Sequence, residues 1–210
     1  MTDADLRSAV AAEYLGLADL LAASPGLWEA PSLCEGWRAR EVVAHVTMPV
    51  RYDGPAFMAE LERCGFDFTR LSNEVAARDA ALPAAELLDQ LRDGRLHQWE
   101  PPDGGVHGAL NHAVIHSLDI TVPAGARRLS SDETITAVLD ALAGEGKVAY
   151  FGIDTTGRRL VAEDVDWSFG DGEELRGEAG ALAAALCGRR APSLTGSPLR
   201  RADQDAGQGS

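Results

Sequence analysis

The sequence has few cysteines, few basic residues and no long apolar run. Its three cysteines, Cys34, Cys64 and Cys187, show no CxxC spacing and are odd in number. This pattern argues against a disulfide framework and against a thiolate zinc cluster. We therefore expect buried thiols. The alternative that Cys34 is a nucleophile has little support beyond its place near His45 in the sequence.

Positive charge is scarce. The chain has 19 lysines and arginines against 33 aspartates and glutamates, which gives a formal net charge of −14. Nucleic acid and anionic membranes are therefore not expected partners, because binding a polyanion needs a positive face. No apolar run approaches the roughly 18 residues of a membrane-spanning helix, and the opening MTDADLRSAV is acidic where a signal peptide is basic. We expect a cytoplasmic protein, either a monomer or a homodimer.

Two common catalytic motifs are also missing. The glycine-rich stretch GDGEELRG lacks the spacing of a phosphate-binding loop. There is no GxSxG motif, so a serine hydrolase of that type is not indicated. The chemistry must therefore come from other residues.

Apolar residues recur at helical spacing through the first two thirds of the chain. The first predicted helix covers Asp3 to Ala23, with Asp3 as the N-cap, and the second covers RAREVVAHVTM and ends at Pro49. A third helical segment runs from Pro55 to about Ala80, with a possible break at Gly65. Two more helices are predicted over PAAELLDQLRDGRLHQW and from about Val106 to Thr121. A four-helix bundle over residues 1–126 is the simplest architecture for this pattern.

The character of the sequence changes after Pro123. A capping box at Ser130 and Glu133 predicts a helix that ends at Gly144. The segments VAYFGI, RRLVAEDV and DWSFGD read as short strands, and EAGALAAALCG reads as a final helix. We therefore predict an α+β protein, with a small α/β domain over residues 127–196 and a disordered tail over 197–210.

Three histidines stand out within the helical part. His112 and His116 are four residues apart on one predicted helix, and His45 lies in the apolar helical segment EVVAHV. An i,i+4 pair projects from one helix face, which suits two imidazoles that bind one ion. A lone histidine such as His45 is more often a hydrogen-bonded core residue, but three together predict a metal site with a position open for water or substrate. The sequence does not identify the divalent ion, and zinc leads only through its availability.

The segments WEAPSLCEGWRAREVVAHV and LNHAVIHSLDI resemble the two metal-ligand motifs of the DinB-like superfamily, in particular the mycothiol-dependent maleylpyruvate isomerase family. The stretch from Arg159 to Gly196 is similar to the small sterol-carrier-like domain of that family. The resemblance implies a four-helix DinB-like bundle with His45, His112 and His116 as ligands. In the isomerases a glutamate stands at the position of His112, and the histidine here follows the wider superfamily. An imidazole in place of a carboxylate adds positive charge to the site, which leaves the identity of the electrophile open.

The chemistry implied by this resemblance is thiol activation. A divalent ion holds a low-molecular-weight thiol, mycothiol or a similar one, as a thiolate at neutral pH. The thiolate can add to a conjugated double bond and allow cis–trans rotation, or it can displace a leaving group in an S-transfer. Two alternatives are a non-enzymatic metal or small-ligand binding protein and a metal-dependent hydrolase.

Other side chains are candidates for roles around the metal. Arg189 and Arg176 are predicted to bind the anionic thiol cofactor, and Arg189 also to act in catalysis, because a guanidinium matches a carboxylate. The alternative for both arginines is an exposed position on the surface without a role in binding. His107 is a possible acid or base, and Asp119 could orient a ligand imidazole. Trp37 is expected to be a packing anchor.

Overall fold

The computed structural model describes residues 1–144 and 151–201 and divides into two compact units, Met1–Ile120 and Thr121–Ser210. Together they give the mixed helix-and-sheet architecture predicted from the sequence. The sequence predicted a boundary after residue 126. This boundary stays a prediction; directly after the last helix of the first unit, the Ala126 amide donates to the Thr121 carbonyl in a local turn.

The first unit is helical throughout its regular structure. Its helices are α1 (Asp3–Ala23), α2 (Ala39–Val46), α3 (Met48–Arg51), α4 (Gly54–Arg63), α5 (Phe68–Asp79), α6 (Ala84–Leu91), α7 (Gly94–Gln98) and α8 (Gly105–Thr121), with a 3₁₀ turn at Pro25–Glu29.

Helix α1 contributes the predicted apolar stripe to the core. Leu6, Val10, Leu17 and Leu21 are all buried, spaced four, seven and four residues apart. The N-cap is Thr2 and not Asp3: the Thr2 hydroxyl accepts from the Asp5 amide, and the Asp5 carboxylate accepts from the Thr2 amide. This reciprocal pair satisfies two amides that the start of a helix leaves without partners.

Two predicted helices are interrupted. The helix through His45 ends at Val46, before Pro49, and Pro49 lies in the first turn of α3. The segment from Pro55 to Ala80 breaks at Gly65 as predicted, because Gly65 and Phe66 both adopt left-handed backbone angles, with φ of 70° and 61°. The break separates α4 from α5.

The described elements of the second unit are helices and short strands. They are α9 (Asp132–Ala143), β1 (Ile153–Asp154), β2 (Arg158–Ala162), β3 (Ser168–Phe169), β4 (Glu173–Gly177), α10 (Ala179–Leu186) and β5 (Arg200–Arg201). Helix α9 begins one residue later than the predicted capping box implied, since the Ser131 hydroxyl accepts from the Thr134 amide.

The strands form two small sheets. In the first, β2 lies between β3, which is antiparallel to it, and β4, which is parallel to it. The sequence analysis missed β4, because its glutamates and flanking glycines resemble a polar turn. In the second sheet β1 pairs with β5, so residues 200–201 of the predicted tail are ordered, while 202–210 lie outside the described residues. Val148–Tyr150 of the predicted strand VAYFGI also lie outside them.

Within the described ranges, no helix combines the length and apolarity that crossing a membrane requires.

A buried polar network fixes the end of α2, next to His45. The Arg51 guanidinium donates to the Asp79 carboxylate at 2.9 Å, to the Thr47 hydroxyl at 2.7 Å, and to the Ala44 carbonyl near the end of the helix. The Tyr52 hydroxyl donates to the same Asp79 oxygen at 2.8 Å. The network therefore ties α5 to the last turn of α2.

The Asp79 carboxyl stays ionised in this network. Burial by itself raises its pKa, but hydrogen bonds from Arg78 and Tyr52 and the charge of Arg51 more than offset burial, so the pKa lies below its usual value. Because the folded-state pKa is lowered, the stabilisation is present at neutral pH and is lost as the pH falls below about 4.

We predict that Asp79→Ala lowers the free energy of unfolding by about 3–5 kcal/mol, because it leaves the Arg51 charge buried without its carboxylate. Urea denaturation followed by circular dichroism measures the loss. Asp19→Ala is the matched control: its ion pair with Arg92 is exposed, with 78% of the Asp19 side chain accessible, and its removal should cost under about 1 kcal/mol. Equal losses in the two variants would contradict the prediction.

Candidate metal centre

Helices α2 and α8 bring three histidines together. His112 and His116 are one helical turn apart on α8, so their side chains leave the same face about 40° apart. His45 is buried in the last turn of α2 beside Val42, Val43 and Val46. One nitrogen from each of the three rings lies within 4.8 Å of the other two. The predicted triad is therefore close in space, and its binding of a metal stays a prediction.

The three rings are in mutual contact. Their centroids are 4.7 Å apart for His112 and His116, 4.9 Å for His45 and His116, and 5.5 Å for His45 and His112. The planes are tilted by 47–75°, so the rings do not stack on one another. Such an arrangement directs ring edges, where the nitrogens lie, towards a shared region.

Asp119 holds the ring of His116. Its Oδ2 lies 2.9 Å from His116 Nδ1, and the residue is wholly buried. A carboxylate only accepts hydrogen bonds, so Nδ1 carries a proton, and in the neutral ring Nε2 is the nitrogen with the lone pair. A carboxylate behind an imidazole is the usual support of a histidine that binds metal. The predicted orienting role of Asp119 agrees with this geometry.

Tyr14 of α1 occupies the corresponding position behind His112, with its hydroxyl oxygen 3.2 Å from Nδ1. Burial raises the pKa of the Tyr14 hydroxyl well above its usual value, so the group stays neutral. Burial also lowers the pKa of His112 well below its usual value, and the charges of His116 and His45 add to the effect. His112 is thus a neutral imidazole at physiological pH, the form that binds metals.

Two tryptophans flank the triad. The Trp37 ring centroid is 5.2 Å from that of His45, and the Trp99 centroid is 5.2 Å from that of His112. Trp37 also donates from its indole nitrogen to Asn73 Oδ1 at 3.0 Å. Trp37 is thus a direct neighbour of the candidate site, and its expected role as a packing anchor stays a prediction.

The donor set fits a divalent transition metal. Three imidazole nitrogens are the ligands of many catalytic zinc sites, which leave a further position for water or substrate. Two of the three rings have Nδ1 engaged by a buried partner, which leaves Nε2 for the ion. Among the described residues, one other group has suitable donors, namely Cys34, His116 and Asp119, and it shares His116 with the triad.

Comparison with known proteins agrees with this arrangement. Residues 9–98 match the family model described as the mycothiol maleylpyruvate isomerase N-terminal domain. This range, less than half of the chain, is similar to that domain. The matched range includes His45 but ends before α8, so the inclusion of His112 and His116 in the candidate centre depends on the structure. The family resemblance predicted from the sequence motifs is confirmed.

Two solved structures share the fold of the whole chain. One is the mycothiol-dependent maleylpyruvate isomerase, with a TM-score of 0.59 at 14% identity. The other is a histidine-to-alanine mutant of the mycothiol-dependent maleylpyruvate isomerase, with a TM-score of 0.61 at 15% identity. Each comparison covers 94% of this chain and 93% of the other. At such identities the similarity shows the fold alone. A search of curated proteins finds no match.

The structure does not bring His107 to the triad. Its side chain is exposed, and it lies nine residues before His116 on α8, which places the two on opposite sides of the helix. A role as an acid or base beside the metal does not fit this position. Its physical setting is that of a surface residue near the start of a helix.

The arginines predicted to bind the thiol cofactor belong to the second unit. Arg176 donates to Glu174 at 2.7 Å, and Arg159 lies opposite Glu174 across the parallel pair of β2 and β4. Arg189 donates to the carbonyl of Cys187 at 3.0 Å. These contacts leave the roles predicted for Arg176 and Arg189 as predictions.

Sequence reasoning missed Tyr14 and Trp99 as neighbours of the site. Tyr14 falls on the apolar stripe of α1 and reads as an ordinary core residue. Trp99 follows α7 just before a proline-rich loop, where no periodic pattern indicates which way it faces. Neither position offers a local signal, because the contact of Tyr14 joins residues 98 positions apart and that of Trp99 depends on the path of the loop before α8.

We predict that Tyr14→Phe destabilises the fold by about 1–3 kcal/mol, because the Nδ1 of His112 loses its hydrogen bond with the Tyr14 hydroxyl. The aromatic ring remains, so the packing of α1 is kept. Thermal or urea denaturation of the metal-free protein measures the change. A variant as stable as the parent would show that the contact between Tyr14 and His112 contributes nothing.

Proposed function

We propose that this protein is a metal-dependent enzyme that activates a low-molecular-weight thiol, mycothiol or a similar one, for isomerisation or S-transfer on a small electrophile. The observation that carries the proposal is the convergence of three imidazole nitrogens from α2 and α8 within 4.8 Å. The domain family of residues 9–98 supports the thiol. Zinc is the ion we propose, because it suits imidazole ligands and is widely available.

The residues of the site have distinct tasks in this proposal. His45, His112 and His116 bind the ion through neutral imidazoles, while Asp119 and Tyr14 keep two of these rings oriented. A bound divalent ion supplies a Lewis acid that holds a coordinated thiol as thiolate at neutral pH. The tryptophans beside His45 and His112 limit the access of water to this sulfur. A thiolate held there could add to one carbon of a conjugated double bond, with the π electrons moving onto the conjugated carbonyl, and be expelled again after rotation about the former double bond as that bond re-forms; in an S-transfer it would instead displace a leaving group.

We also infer the finer architecture from these contacts. The three longest helices of the first unit are α1, α5 and α8, and α2 carries His45. We propose that these four are the helices of a DinB-like bundle. The second unit would then be the small sterol-carrier-like domain. In this arrangement the ligands project from two helices of the bundle, as in other metal sites of helical bundles.

We predict that His45→Ala and His116→Ala each abolish stoichiometric zinc or cobalt binding, because two imidazoles without a third ligand bind the ion far more weakly. Metal analysis of the purified proteins after dialysis measures the content. His107→Ala is the matched control, since it removes an exposed histidine of the same helix and should keep one ion per chain. If either triad variant kept a full equivalent of metal, the triad assignment would be wrong.

We further predict that mycothiol added to the cobalt-substituted protein produces a thiolate-to-cobalt charge-transfer band, since the thiol sulfur enters the coordination shell. Turnover of a test electrophile should then require the thiol. A spectrum unchanged by mycothiol would favour a non-enzymatic metal-binding protein. Hydrolysis without any thiol would instead favour a metal-dependent hydrolase.

A further inference from the structure

Cys34 joins the support of His116 through a shared oxygen. The Cys34 thiol donates to Asp119 Oδ2 at 3.1 Å, and His116 Nδ1 donates to the same Oδ2 at 2.9 Å. The carboxylate thus lies between a thiol on the loop before α2 and an imidazole on α8. Because Asp119 is wholly buried, both donors help to compensate the cost of keeping its charge away from water.

The loop that carries Cys34 is fixed at the same place by its backbone. The Leu33 amide donates to the Asp119 carbonyl at 2.9 Å. The Ser32 hydroxyl donates to the Trp37 carbonyl at 2.8 Å and accepts from the Cys34 amide at 3.1 Å. Three hydrogen bonds of the loop, besides the one that the thiol itself donates to Asp119, therefore fix the position of Cys34. The loop leads directly into α2 and His45, so Asp119 connects the two elements that carry the triad.

We infer that Cys34 and Asp119 are a positioning pair for His116. The Cys34 thiol holds the carboxylate, and the carboxylate holds the Nδ1 proton of the ring, so that Nε2 faces the other two histidines. The inference rests on the proposed function, because it assigns the pair to the support of the metal ligand. It gives Cys34 a role distinct from the nucleophile considered from the sequence.

The alternative is that Cys34, Asp119 and His116 themselves bind the ion, since their donor atoms also lie within 4.8 Å of one another. Binding there would use His116 Nδ1, the nitrogen that already donates to Asp119. It would also remove the thiol proton that satisfies the carboxylate. The triad requires neither loss, because the three imidazoles can bind with both hydrogen bonds in place.

The test uses the full-length protein with Cys34→Ala, Cys34→Ser and Asp119→Asn. Loss of a group that orients a ligating imidazole typically weakens metal binding about 10–100-fold, and we expect Asp119→Asn to lie in that range. Cys34→Ala should weaken cobalt binding about tenfold. Cys34→Ser should recover part of the loss, because its hydroxyl can still donate to Asp119. Titration with cobalt alone measures the affinities.

The matched control is Cys64→Ala. Cys64 is a second thiol of the same unit that faces a carboxylate, with its sulfur 3.9 Å from Glu74 Oε2, but Glu74 forms its ion pairs with Arg63 and Arg70. The variant removes a buried thiol without touching the support of a histidine. The cobalt affinity of Cys64→Ala should therefore stay within about twofold of that of the parent. Loss of a group that orients a metal ligand typically weakens binding much more, by about 10–100-fold.

A second readout does not depend on metal. Nitrogen-15 NMR of the metal-free protein reports which nitrogen of His116 carries the proton. We expect the Nδ1-protonated form in the parent and in Cys34→Ser, and a mixture of both forms in Cys34→Ala. If the parent binds no cobalt, the proposed function fails, while the proton position of His116 still tests the positioning pair.

Two results would overturn the inference. One is a thiolate-to-cobalt band in the parent without added thiol that disappears in Cys34→Ala, which would make Cys34 a ligand. The other is a Cys34→Ala variant with the cobalt affinity and the His116 proton position of the parent.

Discussion

The arrangement of the first unit depends on how α2 is held against α8. His45 reaches the other two histidines only if the last turn of α2 and the middle of α8 keep a fixed separation. Three separate contacts serve this end: the loop before α2 bonds to Asp119, the Arg51 network fixes the helix end, and the valines around His45 pack in the core. A shift of either helix would separate ring nitrogens that now lie within 4.8 Å.

The two histidines of α8 have supports of different charge. His116 is backed by the carboxylate of Asp119, whereas His112 is backed by the neutral hydroxyl of Tyr14. A carboxylate makes an imidazole a stronger electron donor than a hydroxyl does. Of these two supports, only Asp119 behind His116 carries a negative charge. If the three imidazoles bind a divalent cation as proposed, this buried charge compensates part of the charge of the ion.

Several parts of this structure could be predicted from the sequence. The i,i+4 spacing of His112 and His116 placed them on one face, and the apolar periodicity around His45 identified its helix. The break at Gly65 also followed from a residue that tolerates left-handed angles. The contacts of Tyr14 and Cys34 could not be predicted, because they join residues 70 to 100 positions apart. The contact of Trp99 could not be predicted, because it depends on the path of a loop. Strand β4 was missed because its pairing with β2, and not its own composition, makes it a strand.

The network around Arg51 also separates the candidate site from the segment that follows it. The described contacts of that segment, residues 53–67, are made with α5 and its neighbours, and its exposed aromatic Phe66 takes no part in the centre. Because the ion pair between Arg51 and Asp79 joins the backbone before this segment to the end of α5 after it, we expect a change in the length of the segment to leave His45 in place. The turn between α4 and α5 is thus where insertions can accumulate during evolution while the ligand geometry is preserved.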